Sequence, residues 1–567
     1  MLKIQNREIP EAVVKHLEDH GIHPLMARVY AARGIDHIES IETSLARLLP
    51  PTGMMNVESM AQKLSQAIEK KSRLLIIADY DADGATACVV GLRALRAMGA
   101  QIDYLVPNRF EYGYGLTAEI VNLAHQQKNP DIIITVDNGI ASVEGVQRAN
   151  ELGIRVLVTD HHLPGDVLPA AWDIINPNQQ GCPFASKHLA GVGVMFYLAL
   201  ALRALLRQKG QQNLPNLSHL LDLVALGTVA DVVKLDDNNR ILVSHGLQLI
   251  RAGRAHAGIV ALLEVAGRDA SQLVSQDLGF TLGPRLNAAG RLTDMSLGIE
   301  CLLTDDPARA KILAIELDRL NQQRRQIETT MQASAMVRLE SFDPQEAYTV
   351  CLLDTQWHQG VIGIVASRLK DQFHRPTVAF AKGADGLIKG SGRSIAGLHL
   401  RDAIDRVSKI DPQLILQFGG HAAAAGLTLR ECDFERFKAL FEEVVQCLLT
   451  PEELQLTIYT DGSLPASLVS LESAQLIRQG VWGQGFGEPR FSDTFQVLRQ
   501  KVLKDKHLKL TLGRGRKAFE AIFFNEVGPL SDSIFAIYRL NVNEYNGLQT
   551  PQLMLEHWHE ISKLEVQ

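Results

Sequence analysis

The chain has 567 residues, of which 46% are hydrophobic and 21% charged, and 57 basic against 64 acidic side chains leave a net charge of −7. That length exceeds what one core holds, so several domains are expected. The charge excludes a surface coated in positive potential, but not a local basic groove. No apolar run reaches the roughly 18 residues that cross a bilayer, and the first residues lack a signal-peptide core, so a cytoplasmic protein without membrane contact is expected. Cys88, Cys182, Cys301, Cys351, Cys432 and Cys447 form no CxxC pair and read as reduced thiols.

Residues 1–50 read as short helices packed on the body. From 51 to 305 helical and strand patterns alternate, as in a doubly wound parallel α/β sheet. A helix at 60–70 precedes a strand at 74–78, ATACVVGLRALRAMG is a helix, and IDYLVP a strand. A helix at 117–127, a strand at 132–136, a helix at 142–152 and a strand at 155–159 follow, after which 189–300 turns helical. In 306–342, Leu313, Leu317, Leu320, Ile327 and Met331 recur at helical spacing. One long helix with a narrow apolar stripe reads there as a connecting strut. Residues 343–450 form a second α/β unit in which KGSGRS (389–394) and GGHAAAAG (419–426) read as glycine-rich turns. Short alternating strands in 453–567 fit a small barrel of the OB type.

Three apolar runs end on acid: LLIIADYDADG at 74–84, IIITVDNG at 132–139 and RVLVTDHH at 155–162. Ligands of open α/β sheets bind beyond the carboxyl ends of the strands. Asp79, Asp81, Asp83, Asp137, Asp160, His161 and His162 are therefore expected in one crevice. So many carboxylates repel one another unless cations neutralise them, and oxygen ligands with a few imidazoles suit Mg²⁺ or Mn²⁺. In extended backbone Asp79, Asp81 and Asp83 share one side, and Gly84 supplies the turn into the helix. Capping a helix needs one such carboxylate, not three. Asp137 is a candidate bridge between two ions, which sit about 3.5–4 Å apart in two-metal sites. Asp231, inside the apolar LVALGTVADVVKL, needs a partner; it is either a cap for VVKL or a further ligand.

These four segments resemble the DHH phosphoesterase superfamily. PNRFEYGYG (107–115), GPRLNAAGR (283–291), WHQGVIGIVASRL (357–369), KGSGRS and GGHAAAAG narrow the resemblance to the RecJ single-strand-specific exonuclease family, with its DHHA1 domain and OB barrel. The resemblance implies metal ligation by Asp79, Asp81, Asp83, Asp137, His161 and Asp231, with Asp137 bridging. It implies that His162 contacts the scissile phosphate, and Asp160 would orient the histidines. The implied activity is 5′→3′ hydrolysis of single-stranded DNA to mononucleotides with two Mn²⁺ or Mg²⁺ ions, in recombinational and mismatch repair. A helicase and a single-strand-binding protein are the implied partners of a monomeric enzyme. Arg109, Ser391 and Arg393 are candidates for gripping the 5′-phosphate, and His421 for facing the cleft. Arg285, Asn287 and Arg291 are candidates for the DNA track, or for interdomain salt bridges.

The strip Lys501, Lys504, Lys506, Lys509, Arg514, Arg516 and Lys517, with Arg499 before it and Asp505 as its one acid, suits single-strand binding. Phe519, Phe523 and Phe524 beside it read more readily as barrel core. Two other readings stand: a phosphodiesterase for short oligonucleotides or cyclic dinucleotides on the same metals, and a silent DNA-binding scaffold, which would be expected to have shed ligands.

Overall fold

A computed structural model describes residues 3–107, 112, 115–340 and 342–561. Strand β1 (Lys3–Asn6) and helices Glu11–Asp19 and Pro24–Ala31 open the chain. Helix α1 (Val57–Glu69) leads into β2 (Arg73–Ala78), α2 (Ala82–Ala97) and β3 (Gln101–Leu105). Next come α3 (Ala118–Lys128), β4 (Ile132–Val136), α4 (Val143–Glu151), β5 (Arg155–Thr159) and the short β6 (Asp173–Ile175). The sheet is parallel throughout, in the order β3-β2-β4-β5-β6. β2, β4 and β5 are continuous apolar runs because helices cover both faces of a parallel sheet.

Strand order reverses between β2 and β4, which makes their carboxyl ends the switch point where such sheets bind ligands. The ends are level, with Ala78 opposite Val136 and Val136 opposite Thr159. The ladder runs one residue further: the Asp137 N–H donates to the Thr159 carbonyl at 3.0 Å and that of Asp160 to Ile175 at 3.1 Å. The residues after the strands therefore stand abreast.

Helices α5 (Gly191–Gln208) and α6 (Leu221–Ala230) pack on the sheet's α2 side. By length and hydropathy α5 would pass for a membrane span, contrary to the expectation that no segment would. Residues 191–199 are all buried, so it is a core helix. Helix α7 (Gly283–Leu292) precedes α8 (Pro307–Arg338), 32 residues and roughly 48 Å long. α8 is more than a strut. Ala310, Leu313, Ala314, Leu317 and Leu320 belong to the first core, and Met331 and Ala335 to a core shared with the second α/β unit. Between them Asn321, Arg324 and Glu328 form a buried polar cluster.

The second unit holds β7 (Val350–Leu353), α9 (Ile362–Phe373), β8 (Thr377–Lys382), β9 (Leu387–Arg393), β10 (Gln417–Gly420) and β11 (Ala424–Arg430), in the order β10-β11-β9-β8-β7. The two glycine-rich segments are therefore mostly strand, not turn. Their glycines admit close neighbours: a Cβ on Gly390 would lie 2.5 Å from the Phe380 ring, and one on Gly392 2.8 Å from Leu400.

β12 (Thr457–Thr460) pairs in parallel with β1, tying the amino terminus to the approach to the barrel, a strand missing from the sequence-based expectation of helices alone. The barrel comprises β13 (Phe491–Leu503), β14 (His507–Arg514), β15 (Lys517–Phe524), β16 (Ser533–Tyr545) and β17 (Leu548–Glu560). It closes in the order β13-β14-β15-β17-β16, with only β15 and β17 parallel, which is the OB arrangement.

Candidate active site

The level strand ends bring the acids together. His161 Nε2 lies 3.0 Å from Asp137 Oδ1, 3.5 Å from Asp231 Oδ2 and 3.9 Å from Asp83 Oδ2. Three sets of side chains each bring their ligand atoms within 4.8 Å of one another: Asp83, His161 and Asp231; Asp137, His161 and His162; and Asp79, Asp81 and Asp137. His161 is common to the first two sets and Asp137 to the last two.

Each acid is held by its local fold. Asp81 caps α2, accepting the Gly84 N–H at 3.0 Å, and Asp83 lies in the first turn of that helix. The extended Asp79–Asp83 stretch and the Gly84 turn expected from sequence are thus replaced by a helix start. Glycine is needed at 84 because a Cβ would lie 2.6 Å from the Asp79 carbonyl oxygen. Asp83 accepts the N–H groups of Gly191 at 2.6 Å and Val192 at 2.9 Å, so the amino terminus of α5 faces its carboxylate. A Cβ on Gly191 would meet Asp137 Cβ at 2.5 Å. Asp137 has φ 62°, a left-handed conformation costly for a non-glycine residue. Buried Asn138 supports it, donating to the carbonyls of Ile77 at 3.2 Å and Val136 at 2.9 Å. Asp231 caps the carboxyl end of α6 and does not start a helix. The next residue, Val232, is left-handed at φ 60° despite its β-branch.

Asp160 orients the histidines. Its Oδ1 accepts the N–H groups of His161 at 2.7 Å and His162 at 3.1 Å and lies 2.8 Å from His162 Nδ1, while its Oδ2 accepts the Ile140 N–H at 2.9 Å. Asn176 and Asn178 hold the carbonyls of His162 and His161 at 2.8 and 2.6 Å.

Burial beside other acids pushes Asp137 and Asp231 well above the carboxylate range, and burial with Asp81 nearby raises Asp83 to about 7. Burial, helped by the neighbouring His162, lowers His161 to about 3, leaving a neutral imidazole. Burial would also lower His162, but its bond to Asp160 prevails and raises it to about 9. A buried cluster that can ionise only at such cost fits a set of cation ligands. So do two buried atoms without a hydrogen bond, Asp137 Oδ1 and His161 Nε2.

The second α/β unit reaches this cluster. The His421 ring stacks on His162, centroids 5.7 Å apart and 19° from parallel. Ser391 and Arg393 on β9 lie at the start of α9, where a Cβ on Gly363 would be 2.8 Å from Ser391 Oγ and 2.9 Å from Arg393 Nη2. Arg109 lies outside the described residues. Arg285 makes a salt bridge, the alternative to a DNA contact: it is buried, ion-paired with Asp318 of α8 at 2.9 Å, and donates to the Thr281 carbonyl. Asn287 holds the acidic loop, accepting the Ala82 N–H at 2.7 Å, and Arg291 donates to the Gly360 carbonyl at 3.2 Å. These three residues lie on α7, whose Gly283 and Gly290 serve close packing.

On the barrel Arg499, Lys501, Lys504, Lys506 and Arg516 are exposed, and Lys517 donates to Ala466. Lys509 pairs with Glu520 at 2.9 Å. Arg514 turns inward to Asp493 and the Leu464 carbonyl, so it drops out of the strip. Phe519 and Phe523 pack against the core, while Phe524 is 46% exposed.

Sequence reasoning missed Asn138, Asn176, Asn178, Gly191 and Gly363. The signal for Gly191 was an apolar helix opening on AGVG without a capping side chain, and for Asn176 and Asn178 an NPN run after a strand.

A switch-point crevice lined by these acids, a second α/β unit closing over it and an OB barrel define a DHH-type phosphoesterase architecture. Family models match accordingly: the DHH family N-terminal domain over residues 73–228, DHHA1 over 345–447 and the RecJ OB domain over 460–557. The chain is 47% identical to the single-stranded-DNA-specific exonuclease RecJ of Escherichia coli (strain K12), over 98% of this chain and 99% of that one. It is 50% identical to that of Dickeya dadantii, over 94% and 95%. The crystal structure of RecJ in complex with Mn²⁺ from Thermus thermophilus superposes with a TM-score of 0.84 at 29% identity, covering 99% of this chain and 80% of that one. The Mg²⁺ complex from the same organism gives 0.78 at 28% identity, over 99% and 78%. The chain belongs to the RecJ family.

Proposed function

We propose that this chain hydrolyses single-stranded DNA from the 5′ end to mononucleotides, using two divalent cations, Mn²⁺ or Mg²⁺. The observation that carries this is the convergence of Asp83, Asp137, His161 and Asp231, with Asp137 Oδ1 and His161 Nε2 buried and unbonded. Asp83, His161 and Asp231 would hold one cation, Asp79 and Asp81 the other, and Asp137 both. When bound, the cations supply Lewis acidity toward the phosphate and the attacking water.

The side chains divide the remaining work. His161, neutral because it is buried, offers its Nε2 lone pair. His162, kept protonated by Asp160, donates to an oxygen of the scissile phosphate. Ser391, Arg393 and the N–H groups at the start of α9 bind the 5′-phosphate, an anion at a helix amino terminus beside a guanidinium fork; Arg109 would join them. Water oxygen bonds to phosphorus as the bond to the departing nucleotide's O3′ breaks, and that oxygen takes up a proton. The shortened strand again carries a 5′-phosphate, so each turnover regenerates the group that Ser391 and Arg393 recognise. The exposed lysines of the barrel would hold the strand behind it.

The family resemblance supports a cytoplasmic monomer in recombinational and mismatch repair, supplied by a helicase and a single-strand-binding protein. The test is hydrolysis, with Mn²⁺, of a 5′-phosphorylated strand labelled at either end, beside a blunt duplex. Mononucleotide from the 5′ label, a shortening ladder from the 3′ label and an intact duplex are expected. Cleavage confined to di- to tetranucleotides would make the chain a small-substrate phosphodiesterase instead.

A further inference from the structure

The last three residues of α7 touch both halves of the site. A Cβ on Gly290 would lie 1.9 Å from the Tyr80 carbonyl oxygen, so α7 packs backbone to backbone under the acidic loop, and Asn287 one turn earlier holds that loop at Ala82. A Cβ on Gly360 would lie 2.3 Å from the Arg291 carbonyl oxygen, a second backbone contact, to the segment that enters α9. Leu292 packs against both the first core and the core shared by α8 and α9. Three residues beyond Gly360 stands Gly363, against which Ser391 and Arg393 converge. From the far side α9 is fixed by Arg368, whose Nε donates to Glu328 of α8 at 2.8 Å.

We infer that the end of α7 is a rigid spacer that sets the distance between the 5′-phosphate subsite and the acid cluster, and thereby fixes the excised piece at one nucleotide. This rests on the function proposed above. Backbone-to-backbone contacts at glycines leave no side chain to give way, so the two halves are held at one separation, whereas a hinged pair would accept the strand end at more than one offset. Gly290, Arg291 and Leu292 act here as positioning residues, through the loop and the helix they brace.

The test is Gly360→Ala in the full chain, assayed with the 5′-labelled strand beside wild type and Gly487→Ala, a glycine with nothing within 4 Å of the added carbon. A shift of about 1 Å between the halves is expected to lower kcat about 10²-fold. Halves no longer braced at one separation would also admit the strand end at a second offset, so the released 5′ piece is expected to include dinucleotide beside mononucleotide. Mn²⁺ affinity measured by calorimetry without DNA should stay at the wild-type value, which a general loss of structure would not allow. A folded Gly360→Ala protein releasing only mononucleotide at the wild-type rate overturns the spacer. Should that variant fail to fold, Leu292→Ala, which removes the side chain shared by both cores, is expected to give mixed products, and pure mononucleotide from it overturns the spacer equally. Failure of wild type to release mononucleotides would instead refute the proposed function.

Discussion

His161 Nε2 and Asp137 Oδ1 lie 3.0 Å apart, both buried, and neither makes a hydrogen bond. Unpaired buried polar atoms cost free energy, and this pair sits among Asp83 and Asp231. A cation joining the arrangement would relieve that cost. Asp137→Asn keeps the volume and removes the charge. It should lower kcat at least about 10³-fold and weaken Mn²⁺ binding in calorimetry. Wild-type Mn²⁺ affinity in Asp137→Asn would remove Asp137 from the ligand set.

The same cluster predicts how stability depends on pH without metal. Asp83, Asp137 and Asp231 have raised pKa values in the folded chain, so between the unfolded carboxylate range and the raised values the native state binds more protons than the unfolded one. Stability must then fall as pH rises through that window. His162, raised to about 9, adds stability below its unfolded value near 6.5 that is also lost as pH climbs through 9. His161, lowered to about 3, works the other way below pH 6.5, one group against three carboxylates. In chelator, the thermal midpoint should drop between pH 5 and 9, and Mn²⁺ should restore most at the alkaline end. A midpoint that rises with pH in chelator would contradict the burial of these charges.

Asp160 separates orientation from ligation. Asp160→Asn removes the charge that holds His162 protonated while leaving Asp137, His161 and Asp231 in place. The alkaline limb of the pH–rate profile should move down toward the ordinary histidine value, with kcat lower by about 10²-fold. Metal affinity should change little. An unmoved limb would mean that His162 is not the titrating donor.

How far these elements are legible in the sequence depends on the range of the interactions that form them. β2, β4 and β5 are readable because strands buried on both faces are unbroken apolar runs, and α8 because Leu313, Leu317 and Leu320 keep its period. The site follows from those strand ends. Glycine is ambiguous: it marks a turn or a close neighbour, and at Gly390, Gly392 and Gly290 the neighbour decides. Arg285 meets Asp318 across two helices, and β1 meets β12 across most of the chain. Neither partner leaves a local trace: the ion pair enters only as the alternative to a DNA contact, its partner unnamed, and the strand goes unread.

Gly363 should control recognition of the 5′-phosphate. Alanine is a better helix former than glycine, so a loss of function there would not be the result of a weakened α9. Its methyl group would press on Ser391 Oγ and Arg393 Nη2. Gly363→Ala is expected to reduce the preference for a 5′-phosphate over a 5′-hydroxyl end about tenfold or more, the worth of a charged hydrogen bond. Equal discrimination by variant and wild type would move the phosphate subsite elsewhere.

Arg514 and Lys501 lie close in sequence but should behave as opposites. Arg514 is turned inward to Asp493, whose other oxygen accepts from Tyr538 at 2.7 Å, so Arg514→Ala leaves a buried carboxylate short of its cation. That should destabilise the chain by about 3 kcal/mol, read as a lower denaturation midpoint, with little change in the salt dependence of DNA binding. Lys501 is exposed and stands opposite Lys509 on the same face of the β13–β14 pair. Lys501→Gln should leave stability within about 0.5 kcal/mol of wild type. It should reduce the slope of log affinity against log salt by about 0.7, the share of one single-strand phosphate contact. Were Lys501→Gln to bind single strands with an unchanged salt slope, the strand would not pass over this face of the barrel, and the exposed lysines there would be solubilising charge alone.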